Sequence, residues 1–187
     1  MTKARDLANG GFGLVLVKPS TVVNGTDNGK GTVSFSAAST VSLNGVFSAN
    51  YTNYSVIIEG TRSTNNIIYA RYRASGSDNS TATYGNGVIK NTGGTPTVSA
   101  TATNDAQIDF LGTSDSQSYY INMSISNPFI ASNTLSISST INGLYSTQQV
   151  VGNSWGRKAD TTSYDGITFY PSTGTITGTI SVYGYNK

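Results

Sequence analysis

Any chemistry in this chain would have to come from a short list of side chains. Glu59 and eight aspartates are its only acids, and it holds neither histidine nor cysteine. A two-carboxylate hydrolytic site would therefore be drawn from Asp105, Asp109 and Asp115. All three lie near turns or at alternating strand edges, where aspartate commonly shapes the turn or faces water. With no imidazole and no thiol, the usual general base, the usual metal ligands and disulfides are missing together. Asp27-Asn28 and Asp78-Asn79 lack the spaced oxygen ligands of an EF-hand loop. Gly10-Gly11-Phe12-Gly13 has no Lys-Ser/Thr after it and opens no helix, so it is no phosphate loop. The expectation is of a chain with no catalytic centre, no metal and no cofactor.

Binding chemistry is better represented. Tyr69, Arg71 and Arg73 share one face of an alternating stretch, and a guanidinium beside an aromatic ring suits a sugar or an anionic group. The same residues also fit an ordinary half-exposed sheet face with cross-strand pairs. Trp155, followed by Arg157 and Lys158, reads as the anchor of an exposed contact loop over Gly152-Asn153-Ser154-Trp155-Gly156. A lone Trp closing one end of the core is the competing reading.

The elements that must position these side chains are strands. Tyr119, Ile121, Met123 and Ile125 alternate with Tyr120, Asn122, Ser124 and Ser126, then stop at Asn127-Pro128. Tyr54 to Glu59 reads as a central strand, Ile67 to Arg73 as a strand with one apolar face, and Leu14 to Val17 as a first strand buried on both faces. The last stretch alternates without a break from Thr175 to Tyr185. It reads as a hairpin with Gly166 to Tyr170, joined through Pro171-Ser172-Thr173-Gly174. Turn signals recur throughout, and no helical stripe or long repeat is visible. These patterns predict an all-β chain: an antiparallel β-sandwich, jelly-roll-like, over residues 14–187, with residues 1–13 as an N-terminal tail or joining segment.

Composition narrows the partners. Charged residues make up 11% of the 187, against roughly 25% in ordinary globular proteins, so Ser, Thr, Asn and Gly carry the surface. Such a surface suits packed assemblies. A formal charge of +2 without a Lys/Arg run argues against nucleic acid. No signal peptide or apolar membrane span is readable, which predicts a chain made in the cytoplasm without membrane insertion.

Three stretches together resemble tailed-bacteriophage virion proteins. Lys3 to Asn9 is similar to the opening of many phage tail-fibre chains. Phe47 to Tyr54 followed by Arg71 to Asn79 resembles the middle of their β-rich domains, and Ile167 to Asn186 is the most specific of the three. The resemblance implies a non-enzymatic structural component of a phage particle, located on the virion and assembled as a homotrimer among other virion proteins. It would serve as a short tail-fibre or receptor-binding protein contacting the host surface, with a surface glycan as a candidate partner. A capsid decoration, cement or head-spike role is the alternative. No binding residue carries over from the resemblance.

Overall fold

The computed structural model describes residues 13–64, 66–100, 104–113, 118–131, 135–145 and 148–185. Among these every regular element is a strand: β1 (Leu14–Leu16), β2 (Thr21–Val23), β3 (Thr26–Asp27), β4 (Val33–Ala38), β5 (Val41–Asn44), β6 (Asn53–Arg62), β7 (Asn66–Ala74) and β8 (Ser77–Asp78). They continue as β9 (Tyr84–Thr92), β10 (Thr95–Ala100), β11 (Ile108–Thr113), β12 (Ser118–Ser126), β13 (Leu135–Tyr145), β14 (Gln148–Lys158), β15 (Gly166–Pro171) and β16 (Ile176–Tyr185).

The strands form two antiparallel sheets. The larger has ten strands in the order β10-β9-β14-β13-β12-β6-β16-β4-β3, with β1 added along β16. The smaller has six, β11-β7-β15-β5-β2, with β8 on β7. The two packed antiparallel sheets are the expected β-sandwich; these strand orders do not establish the jelly-roll part of the expectation. Alternation decides what each sheet buries. Tyr119, Ile121, Met123 and Ile125 face inward from β12, as do Tyr54, Val56 and Ile58 from β6 and Ile176, Ile180 and Val182 from β16. From the small sheet come Val41 and Leu43, Ile68, Ala70 and Tyr72, Ile108 and Phe110, and Ile167 and Phe169. The result is one hydrophobic cluster between two layers, the arrangement expected of a β-sandwich. Phe47 meets Tyr54 edge-on at 4.8 Å between ring centres, and Tyr72 packs at 5.1 Å from Tyr164.

Three sequence expectations are corrected. The closing stretch is not a hairpin: β15 lies in the small sheet between β7 and β5, whereas β16 lies in the large sheet between β6 and β4. Pro171 to Gly174, with Gly174 at φ +73°, carries the chain from one layer to the other. Alternation fixes which face of a strand is buried and is silent about its partner. Second, Gly152 to Gly156 is the interior of β14, paired in register with both β13 and β9, because its alternating small residues pass between neighbours where side chains would crowd. Third, β1 is not buried on both faces. It pairs only with the C-terminal half of β16, and Leu14 and Val15 are exposed.

One pair of glycines shapes the large sheet. Gly60 on β6 and Gly178 on β16 stand opposite each other, beside an irregularity in the β16–β4 register. A Cβ on Gly60 would overlap the Thr177 carbonyl oxygen, and one on Gly178 would overlap the Glu59 carbonyl oxygen. Only glycine permits this backbone approach.

Candidate contact surfaces

The six sequence-predicted contact residues separate into four environments. Tyr69 and Arg71 meet on the outer face of the small sheet, joined by Tyr170 from β15. The rings of Tyr69 and Tyr170 lie 5.4 Å apart, and the Arg71 guanidinium sits 5.0 Å over the Tyr170 ring. Arg71 is held there by donating to the Ala106 carbonyl at 3.1 Å and to Gln107 Oε1 at 3.3 Å, while the Tyr170 hydroxyl donates to the same Gln107 oxygen at 3.2 Å. Burial pushes the Tyr170 phenol up to about 12 despite the opposing Arg71 charge. Asp109 stands opposite Tyr69 on β11. Burial raises its carboxyl above the usual aspartate range, and the Asp105 charge raises it further. Asp105 is engaged by the Asn86 amide at 3.1 Å, and Asp115 lies outside the described residues. The patch is a rigid aromatic and guanidinium surface.

Arg73 does not belong to it. Its guanidinium donates to Asn44 Oδ1 at 2.7 Å, Ser42 Oγ at 3.1 Å and Thr168 Oγ1 at 2.8 Å, and it pairs with Asp78 and the Gly76 carbonyl. Arg73 sits beside small neighbours on β5 and β15 that let the β8 turn fold over it, so the expected contact residue is instead a buried tie.

Lys158 is corrected more sharply. It is 1% exposed, and its ammonium donates to Asn79 Oδ1 at 3.2 Å, the Thr81 carbonyl at 3.0 Å and Thr83 Oγ1 at 2.5 Å. It also pairs with Asp160 at 3.2 Å and lies 3.9 Å from the centre of the Tyr84 ring. Alternation explains this. Trp155 and Arg157 are on the outer face of β14, so Lys158 must point inward. Burial lowers the Lys158 pKa while Asp160 opposes that shift. Burial alone would raise the Asp160 carboxyl, but hydrogen bonds from Tyr164, the Thr162 amide and Lys158, together with the Lys158 charge, bring it below its ordinary value.

Trp155 and Arg157 are exposed as expected, on a strand rather than a loop. The Trp155 indole is 45% exposed and lies across Gly87, its register partner on β9, where a Cβ would collide with the ring. From there the outer face of the large sheet runs as registered rows of small polar residues. Trp155 is followed by Ser138 and Ser124, and Asn153 by Thr140 and Asn122. Thr140 donates to Asn153 Oδ1 at 3.2 Å and Ser55 to Asn122 Oδ1 at 3.0 Å, which commits the oxygen of each amide to the sheet. Six of these residues, with Ser139 and Ser154, line an open depression of about 280 Å³. A wider depression of about 730 Å³ adjoins it at the next outward positions, Tyr120 on β12 and Asn142 on β13, and reaches Glu59, Thr179 and the Gly60–Gly178 approach. Neither depression is legible in the sequence; of their linings only Trp155 is. Among the described residues no group of three His, Cys, Asp or Glu is placed to hold a metal ion, and no helix is long and apolar enough to cross a membrane.

No family model matches this chain, and no curated protein matches it. Solved structures resemble it weakly. A PL-14 alginate lyase from Aplysia kurodai has 6% identity over 92% of this chain and 96% of its own, with a TM-score of 0.37. A GH54 α-L-arabinofuranosidase has 10% identity over 92% of this chain and 40% of its own, with a TM-score of 0.34. The SPRY domain of human HERC1 has 8% identity over 86% and 99%, with a TM-score of 0.31. These likenesses are too distant to bear on function.

Proposed function

We propose that this chain is a non-enzymatic structural component of a bacteriophage particle. It acts as a short tail-fibre or receptor-binding protein that contacts the host surface, assembled as a homotrimer. The observation that carries the reading is the outer face of the large sheet, where an exposed Trp155 heads a trough of hydroxyl and amide side chains. A face of that kind offers an anchor and directional hydrogen bonds, which is what recognition without chemistry needs. The sequence resemblance supplies the setting, and the lack of histidine and cysteine supports the non-enzymatic part.

A second reading, capsid decoration, is favoured by exposed apolar side chains, one pair at the β1 edge and one beside Asn153. Leu14 and Tyr185 stand opposite each other across β1 and β16, and Ile89 and Val98 do so across β9 and β10. Covering such patches is how a cement protein adds stabilising area to a shell.

Gold-labelled antibody on intact particles and a competition assay separate the two. The host-contact reading expects label at the tail and slower phage adsorption when cells are first incubated with purified protein. Label spread over the shell, with adsorption unchanged, would establish decoration instead. Hydrolysis of a host polysaccharide by the purified chain would overturn the non-enzymatic assignment.

A further inference from the structure

The geometry points to a neutral oligosaccharide as the ligand of the large-sheet trough, with Trp155 as the platform for one sugar ring; this rests on the host-contact reading above. The indole is seated before any ligand arrives. Its inner face lies on the bare backbone at Gly87, and nearly half of its surface remains open. A fixed aromatic face loses little freedom on binding and suits the C–H face of a pyranose, which is apolar on one side and hydroxylated at its rim. The hydroxyls of that ring and of the rings after it then meet Ser138, Thr140 and Asn153, and Ser124 and Asn122 one strand further on. Neighbouring strands are about 4.8 Å apart, close to the advance of one sugar along an extended chain, so successive rings meet successive strands.

Charge selects among glycans. The eight residues lining the depression beside Trp155 are all uncharged, and the adjoining one carries a single charge, the Glu59 carboxylate. A carboxylate accepts two hydroxyls of a sugar diol and repels an acidic sugar. Arg157 stands at the next outward position of β14, on the side of the indole away from Asn153, and does not line either depression. Among the residues lining the two depressions, none is a cation that would pair with a uronic or sialic acid.

Trp155 is the only tryptophan in the chain, so its fluorescence reports directly on the site. Neutral gluco- and galacto-oligosaccharides are titrated against their uronic-acid counterparts, with calorimetry for the variants. Neutral sugars are expected to bind and perturb the emission. Trp155→Ala is expected to weaken binding about tenfold, near 1.4 kcal/mol. Gly87→Ala keeps the indole but lifts it from its seat, and is expected to weaken binding comparably while the circular dichroism spectrum is retained. Should Gly87→Ala misfold, Thr140→Val serves in its place, with a smaller loss expected. Equal or tighter binding of acidic sugars, or full affinity in Trp155→Ala, would overturn the inference. If no neutral sugar binds while the protein still blocks adsorption, the ligand assignment fails and the host-contact reading stands. If neutral sugars bind but adsorption is untouched, the reverse holds.

Discussion

Lys158→Ala is expected to lower the unfolding free energy by about 3 kcal/mol, the lower end for breaking a buried ion pair, because the Asp160 partner keeps some contact with water. The ammonium ties three segments together: the end of β14, the loop from Asn79 to Thr83, and the loop holding Asp160. Removing it leaves the Thr83 hydroxyl without that donor and the Asp160 carboxylate without its cation, while the Thr81 carbonyl keeps the Thr83 amide. Against a typical total of about 5–15 kcal/mol, urea denaturation should resolve the change easily; an unchanged midpoint would refute the role. The pH dependence has a definite sign. Because the Asp160 pKa is lower folded than unfolded, its contribution is complete above the ordinary aspartate value of 3.8 and is lost as pH falls through the depressed folded value. The stability gap between wild type and Asp160→Asn should therefore hold from neutral pH down to about 3.8 and close as pH falls from there through the depressed folded value. Lys158 acts oppositely: its lowered pKa means its burial penalty is present below the folded value and is relieved as pH rises through it toward 10.5.

Gly60→Ala should be at least as damaging, about 3–4 kcal/mol, since a new Cβ would strike backbone rather than a movable side chain. Its neighbours are the Thr177 carbonyl and, at 2.8 Å, the Gly178 Cα, so β6 and β16 would have to separate in the middle of the large sheet. Gly178→Ala should behave alike from the other side. Gly76→Ala is the control: its φ of +77° disfavours a side chain, but nothing lies within 4 Å, so the loss should be near 1 kcal/mol. Thermal melts of the three variants separate close approach from backbone strain. Equal losses would mean the close approach is not what matters.

Local physics made some of this readable in advance. The run from Tyr119 to Ser126 gave its strand, its buried face and its end at Asn127, because period two and a proline are properties of consecutive residues. The burial of Arg73 and Lys158 is not legible because a charged side chain in sequence does not announce the neutral carbonyls and hydroxyls that surround it. Those partners arrive from residues as far as 95 positions away, as with Thr168. Trp155 stands out by type, but its place in β14 is hidden because Gly, Asn and Ser beside it are turn residues elsewhere and here pair with β13 and β9. The trough needed registers between β9, β14, β13 and β12, and register is a relation between strands that no single strand encodes.

The separation of β15 and β16 into different layers also bears on how the chain assembles itself. β16 lies between β6 and β4, both of which precede it by more than a hundred residues, and the Thr32–Ser181 hydrogen bond closes a span of 149. Until β16 inserts, β6 and β4 each present an unpaired edge and the large sheet exists as two parts. Loop-closure entropy is then spent before the central ladder returns it, so pairing of this strand carries the entropic cost of non-local contacts. Wherever β16 is unpaired, the open edges of β6 and β4 are the places at which another chain's strand could fill the gap.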